Sequence, residues 1–358
     1  MKTKSKRAVK PGTKQSFITY GILIALFAAA NIYMEVATKT RTFKGLLVTL
    51  CAYAILAVSL NLTVGFLGEL SLGQAGFMYI GAFSSALFST RIDESIPEIV
   101  RFPLALVLGG IIAAIFGILI GIPVLRLKGD YLAIVTLAFG EIIKNVLGAI
   151  YIGKDADGLH LAIKASEFSL AADGEVWVNG PNGINNIPRD SNFTIAFILL
   201  FVTVVIAYNF SNSRTGRAFM SIRDNRIAAE SVGLNITKYK LITFGLTAFL
   251  AGVAGALYAH DLSSLQPQKF DYNLSILFLV FVVLGGIGSI RGSVIAAIIL
   301  HCLPELILRD LSEYRMLIYA VILIAMMLFR SNSKIASNVD KFKGLFFKKD
   351  KAKKGEVQ

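Results

Sequence analysis

Residues Leu46 to Gly81 read LLVTLCAYAILAVSLNLTVGFLGELSLGQAGFMYIG. The stretch Leu46–Leu67 carries no charge, and a helix needs only about 20 apolar residues to cross a bilayer. Glu69 is the one charged residue before the next apolar block, Leu70–Ser89. The seam between the two blocks holds Gly65, Gly68, Ser71, Gly73, Gln74 and Gly76, with Gly81 following. Each glycine in a helix interior costs about 1 kcal/mol relative to alanine, so several together predict a broken helix. Irregular backbone at membrane depth survives only where protein or a water-filled cavity covers it.

Outward from this stretch the same pattern repeats. Apolar blocks also run over Phe17–Met34, Pro103–Leu125, Tyr131–Tyr151, Phe193–Phe210, Leu241–Ala259, Leu274–Ile287, Val294–Leu308 and Met316–Phe329. The expectation is an all-α integral membrane protein of about ten transmembrane helices, filling residues 17–330. Composition agrees: 55% of the 358 residues are hydrophobic and 16% charged, against roughly 25% charged in a soluble domain. The first block is longer than the roughly 7–15 residues of a signal-peptide core, which favours an uncleaved span over cleavage near Ala28–Ala30. Cys51 and Cys302 both fall inside apolar blocks with no spacing partner and read as packing residues.

A second glycine-broken segment lies in the other half: Gly285, Gly286, Gly288, Ser289 and Gly292, around Arg291. Interrupted spans in corresponding places of two halves point to a transport path. The alternative is close helix packing through small residues. The third and eighth spans would correspond in a five-plus-five inverted repeat.

Charge sets the orientation. With both ends inside, segments 1–16, 68–69, 126–130, 211–240, 288–293 and 330–358 hold 24 of the 36 Lys and Arg, the bias expected of cytoplasmic segments. Net charge is +13. The basic residues do not interleave with an aromatic stacking surface, so nucleic acid is not an expected partner. The outside loop 152–192 is acidic, carries Trp177, and has a turn at Pro181-Asn182-Gly183 that predicts local structure. Trp177 reads as an interfacial anchor or as a contact for a soluble partner. The basic terminus 1–16 and the Lys-rich tail 331–358 flank the spans, and the tail reads as a lipid-surface segment or as disorder.

Three polar features remain. Residues Arg223, Asp224, Asn225, Ala228, Ala229, Glu230 and Gly233 outline about two turns of helix, with Asp224 as N-cap and Gly233 at C′. So short a helix is unstable alone. It reads equally as a docking element, with Ala228 and Ala229 leaving a low surface, or as an amphipathic linker on the membrane. Glu141 and Lys144 share a helix face inside a span and read as a mutually neutralising pair. Asn61 and His301 read as helix–helix hydrogen-bonding groups. No phosphate loop, H-E-x-x-H motif or dinucleotide fingerprint is present. The reading is therefore a transporter, not an enzyme, with no metal or cofactor of its own.

At Leu62–Gly81, Leu125–Lys144 (LRLKGDYLAIVTLAFGEIIK), Asn179–Arg189 (NGPNGINNIPR), Gly216–Gly255 and Gly285–Leu306 the chain resembles the LivM-type permease of bacterial branched-chain amino acid ABC importers. The resemblance runs in order over about residues 45–330. It implies a heterodimer with a second permease in the bacterial cytoplasmic (inner) membrane and an external substrate-binding protein. Two ATPase subunits on the cytoplasmic face would hydrolyse the ATP. It also implies that Arg223–Gly233 is the coupling helix. Similar members of the family move urea, short amides or other amino acids. An autonomous secondary transporter or channel is the competing class.

Overall fold

The computed structural model describes residues 41–302 except 92–96, 128, 156–157 and 170–173, with scattered positions at 19–28 and 317–324. Residues 1–16 and 331–358 fall outside the described residues, as do most of the expected spans Phe17–Met34 and Met316–Phe329. Residues 1–299 form one compact unit and 300–358 a second, in which Leu317, Ala320, Val321 and Ile324 are helical and exposed.

The described chain runs through α1 (Arg41–Asn61), a π-turn (Leu62–Leu67), α2 (Gln74–Arg91), α3 (Glu98–Val124) and α4 (Asp130–Ala149). A β-rich connection follows, with β1 (Tyr151–Asp155), β2 (Gly158–Ala162), β3 (Glu175–Asn179) and β4 (Ile184–Asn185). Then come α5 (Phe193–Asn212), α6 (Arg214–Asp224), α7 (Arg226–Ser231), α8 (Ile236–Ala259), β5 (Ser264–Leu265), α9 (Tyr272–Gly285) and α10 (Ile290–Cys302).

Among the described residues five segments are long and apolar enough to cross a membrane: Gly45–Leu67, Ile99–Val124, Asp130–Ala149, Phe193–Asn212 and Ile236–Ala259. At the glycine breaks two expected spans begin or end differently. The block expected from Leu70 becomes helical only at Gln74, because residues 68–73 cross to α4 as a loop. The block expected to reach Ile287 stops at Gly285, since Gly286 and Gly288 take φ values of +95° and +81° that helices do not use. The 14 residues of α9 rise only about 20 Å, short of a hydrocarbon core about 30 Å thick.

Helix α8 is the centre of the bundle and packs on α1, α2 and α3. Its small residues allow the approach: a Cβ on Gly81 of α2 would sit 2.3 Å from Gly252 Cα, the close backbone contact typical of membrane helices. The outer helices turn apolar side chains outward. Leu104, Val107, Ile111, Ile115 and Leu119 of α3 are each about half exposed or more. A stripe of that length is what a lipid-solvated helix presents.

The long acidic loop is ordered as a cap over one end. Strands β2-β1-β3 form an antiparallel sheet, and β4 pairs with β5 across the 260–271 connection. The expected Pro181-Asn182-Gly183 turn is a single 3₁₀ turn, with Gly183 at φ +69°. Two arginines fasten the cap. Arg91, at the end of α2, bonds Glu175 at 2.7 Å and lies 4.5 Å over the Trp177 ring. Arg101, in the first turn of α3, makes a largely buried pair with Asp190 at 2.9 Å. Trp177 thus meets a guanidinium of its own chain. The glycine breaks and the α6–α7 hairpin meet at the other end of the bundle.

Candidate functional site

The site begins where α1 unwinds. The π-turn widens the helix, and Gly68, at φ +78°, closes it with its N–H on Thr63 O. Asn61, fully buried at the start of that turn, spends both ends of its amide on the other broken segment. Its Nδ2 donates to Ser293 Oγ at 2.8 Å, and its Oδ1 accepts from Gly288 N at 2.9 Å. Gly65 and Gly288 touch through backbone: a Cβ on Gly65 would lie 2.4 Å from Gly288 N. Gly285 likewise abuts Gly292, so the α9–α10 hairpin is tight enough to reach Gly65. Ser289 accepts from Gly292 N and starts α10.

The candidate path residues therefore divide. Gly65, Gly68, Gly285, Gly286, Gly288 and Ser289 gather at one junction of the two breaks, with Gly68, Ile287 and Ser289 exposed there. Gly73 and Gly76 instead sit against Thr136 and Gly140 of α4, and Leu72 N donates to Thr136 Oγ1 at 2.9 Å. Ser71 is buried beside them in sequence, and Gln74 donates to Ser59 of α1.

Helix α6 abuts the first break, and α7 packs on α6 and α8. Ser213 caps α6, and Asn225 caps α7 by accepting from Ala228 N at 3.0 Å. Asp224 is not the N-cap expected from spacing. It is still helical, as the last residue of α6, and its carboxylate is occupied by Arg223 at 2.9 Å. Asn225 has the extended backbone that an N-cap needs. Gly233, at φ +84°, is the C′ residue expected: its N–H reaches Glu230 O and that of Leu234 reaches Ala229 O, a Schellman ending.

The low surface expected of Ala228 and Ala229 is only half present. Ala229 is buried with Ile222 and Ile236, under Leu234 and Tyr239. The outward face of α7 carries Ile227 and Val232, 80% and 75% exposed, with Ala228 and Glu230.

Two side chains reach the break, one from this hairpin and one from α8. Arg223 Nη1 donates to Gly65 O at 3.0 Å, and its stem lies against Gly68. Lys240, 2% exposed on the first turns of α8, pairs with Glu69. Sequence reasoning missed Lys240. The available signal was the lone Glu69 between apolar blocks, because a charge in such a place needs a partner. It also missed α6 as a helix.

Glu141 and Lys144 form the expected ion pair, and Glu141 also accepts from Tyr272 N at 2.8 Å. The pair thus caps the first turn of α9. Beside it, at the β-capped end, an open cavity of about 790 Å³ is lined by Lys144, Asn145, Tyr151, Pro267, Asp271 and Asn273. Among the described residues no group of His, Cys, Asp or Glu could hold a metal ion.

Comparison with known proteins gives the family to which these two joined breaks belong. Residues 42–327 match the family model described as branched-chain amino acid transport system / permease component. The chain belongs to this permease family. Over 288 residues it is 36% identical to the high-affinity branched-chain amino acid transport system permease protein LivM of Salmonella typhimurium, covering 78% of this chain and 66% of that protein. Against LivM of Escherichia coli K12 the identity is 35%, over 85% of this chain and 73% of that protein. The ribose import permease protein RbsC of Haemophilus influenzae is 24% identical over 89% of this chain and 93% of that protein. No solved structure matches the permease.

Proposed function

We propose that this permease forms half of the membrane pathway of an ATP-driven importer of branched-chain amino acids. The observation that carries this reading is the α6–α7 hairpin: a short capped helix that exposes Ile227 and Val232 and is bonded to the first glycine break. A separate ATPase would receive that exposed face, and a second, similar permease would complete the pathway. An external binding protein would deliver substrate to the β-capped end. The likeness to two LivM permeases supports leucine, isoleucine and valine as cargo. A neutral zwitterion also suits the junction, where Arg223, Lys240 and Glu69 are already paired with one another's segments.

On this reading the chain sits in the bacterial inner membrane with the α6–α7 end and both termini in the cytoplasm. Residues 17–330 make the permease domain, of about ten spans in two inverted sets of five. The glycine junction is the gate, and ATP is hydrolysed by the partners.

The test is reconstitution with the co-encoded ATPases, second permease and binding protein in liposomes. Leucine uptake should need every component and ATP. Uptake by the chain alone under an ion gradient would replace the importer with an autonomous carrier. Uptake of urea or a short amide instead of leucine would change the cargo and leave the architecture standing.

A further inference from the structure

We propose that Arg223 and the Glu69–Lys240 pair are the positioning residues that hold the first glycine break to the docking hairpin and to the start of α8 into which the hairpin returns, so that these parts move as one body against Gly288. The inference rests on the importer reading and names the links that reading requires.

The two links bracket α7 in sequence, one just before it and one just after its return into α8. Both end within five residues of each other, on Gly65 and Glu69. They differ in kind. Arg223 is oriented by Asp224, to which it donates from Nε and Nη2 at 3.0 and 2.9 Å, leaving Nη1 for the Gly65 carbonyl. Its stem fills the place where a Cβ on Gly68 would be, 2.5 Å from Arg223 Cγ. Lys240 has its ammonium in a nearly dry site, where its one described counter-charge is Glu69. A buried ammonium parted from its carboxylate is strongly disfavoured, so this link resists separation.

Across the break the contact is of another sort. Gly65 meets Gly288 backbone to backbone, with Asn61 supplying two neutral hydrogen bonds. Arg223 is more than a third exposed, so solvent screens its bond, and the buried Lys240–Glu69 pair is the stronger of the two links. A pull on the hairpin therefore separates Gly65 from Gly288 before it separates Glu69 from Lys240. The glycine contact is the surface that opens, and the ionic links carry the motion to it.

The experiment uses the full complex in liposomes, comparing wild type with Arg223→Gln, Arg223→Lys and the double variant Glu69→Leu/Lys240→Met. Replacing a buried ion pair by apolar residues of similar size is often neutral for stability, so the double variant should assemble. Transport is read as substrate moved per ATP hydrolysed in the assembled complex, and it should fall about tenfold in Arg223→Gln and in the double variant. Arg223→Lys should recover part of the loss. Spin labels on wild-type complex at Ser231 and Leu70 should keep their separation when ATP binds, while labels at Ser231 and Ile287 should move apart or together. Unchanged transport per ATP in assembled Arg223→Gln and in the double variant overturns the proposal. So does a 231–70 distance that changes as much as 231–287, whatever the variants do. Failure of wild type itself to need ATP would sink the importer reading instead.

Discussion

Asn61 and Ser293 lie 232 positions apart in the chain and 2.8 Å apart in the fold, amide to hydroxyl. Together with the bond from Gly288 N to the same amide, this makes one buried side chain the polar bridge between two broken segments. Asn61→Leu should leave Ser293 and Gly288 N short of a partner, at about 1–3 kcal/mol. Membrane helices often recover part of such a loss. The variant should therefore still insert and assemble with a lowered melting temperature, and lose uptake out of proportion to that drop. A proportional loss of both, read by thermal melting in detergent and uptake in liposomes, would assign Asn61 to stability alone.

Gly65→Ala is a steric counterpart. The added methyl would fall 1.9 Å from Asn61 Oδ1 and 2.4 Å from Gly288 N, distances that backbone cannot accept. The junction must spread, so transport should fall at least about tenfold. Gly21→Ala, at a helical glycine with nothing within 4 Å, is the control. Equal effects at the two positions would mean that loss of a helical glycine, not the Gly65–Gly288 contact, is what matters.

The docking face is tested by a pair of glutamates. Ile227→Glu, on the exposed side of α7, should abolish co-purification with the ATPase and leave the melting temperature unchanged. Ala229→Glu puts a charge among Ile222, Ile236 and Leu234 of its own chain, so it should lower the melting temperature before any partner is added. Reversal of this order would place the docking surface elsewhere.

The contrast between those two positions also marks what sequence could and could not yield. Apolar blocks and clustered glycines are local properties, and the bilayer converts them directly into helices and breaks. Gly233 was legible for the same reason, since a helix end demands an αL residue within its own turn. The partner of Glu69 was not: Lys240 lies 171 positions away and looks in sequence like one more cytoplasmic base. Gly73 and Gly76 read as part of a break, yet their neighbour is Gly140, a pairing set by how α2 crosses α4. Asp224 failed as a cap because α6 runs through it and leaves Asn225 as the extended residue, a boundary that spacing rules leave out.

Asp261 supplies the pH test. It follows α8 at the β-capped end, half-buried against Gly45. Burial raises its carboxyl from an ordinary 3.8 to about 6, while Arg189 and a hydrogen bond with Thr49 pull it down. A folded value above the unfolded one means that its stabilising contribution is full below the unfolded value and is lost as pH rises through about 6. At neutral pH the fold therefore carries an ionised group that its surroundings disfavour. Asp261→Asn keeps the shape and removes the titration. The variant should melt higher than wild type at pH 7.5, and the difference should shrink towards zero as pH falls below about 5. Melting curves in detergent across that range decide it: parallel pH profiles for the two proteins would show that Asp261 titrates as an ordinary exposed carboxylate.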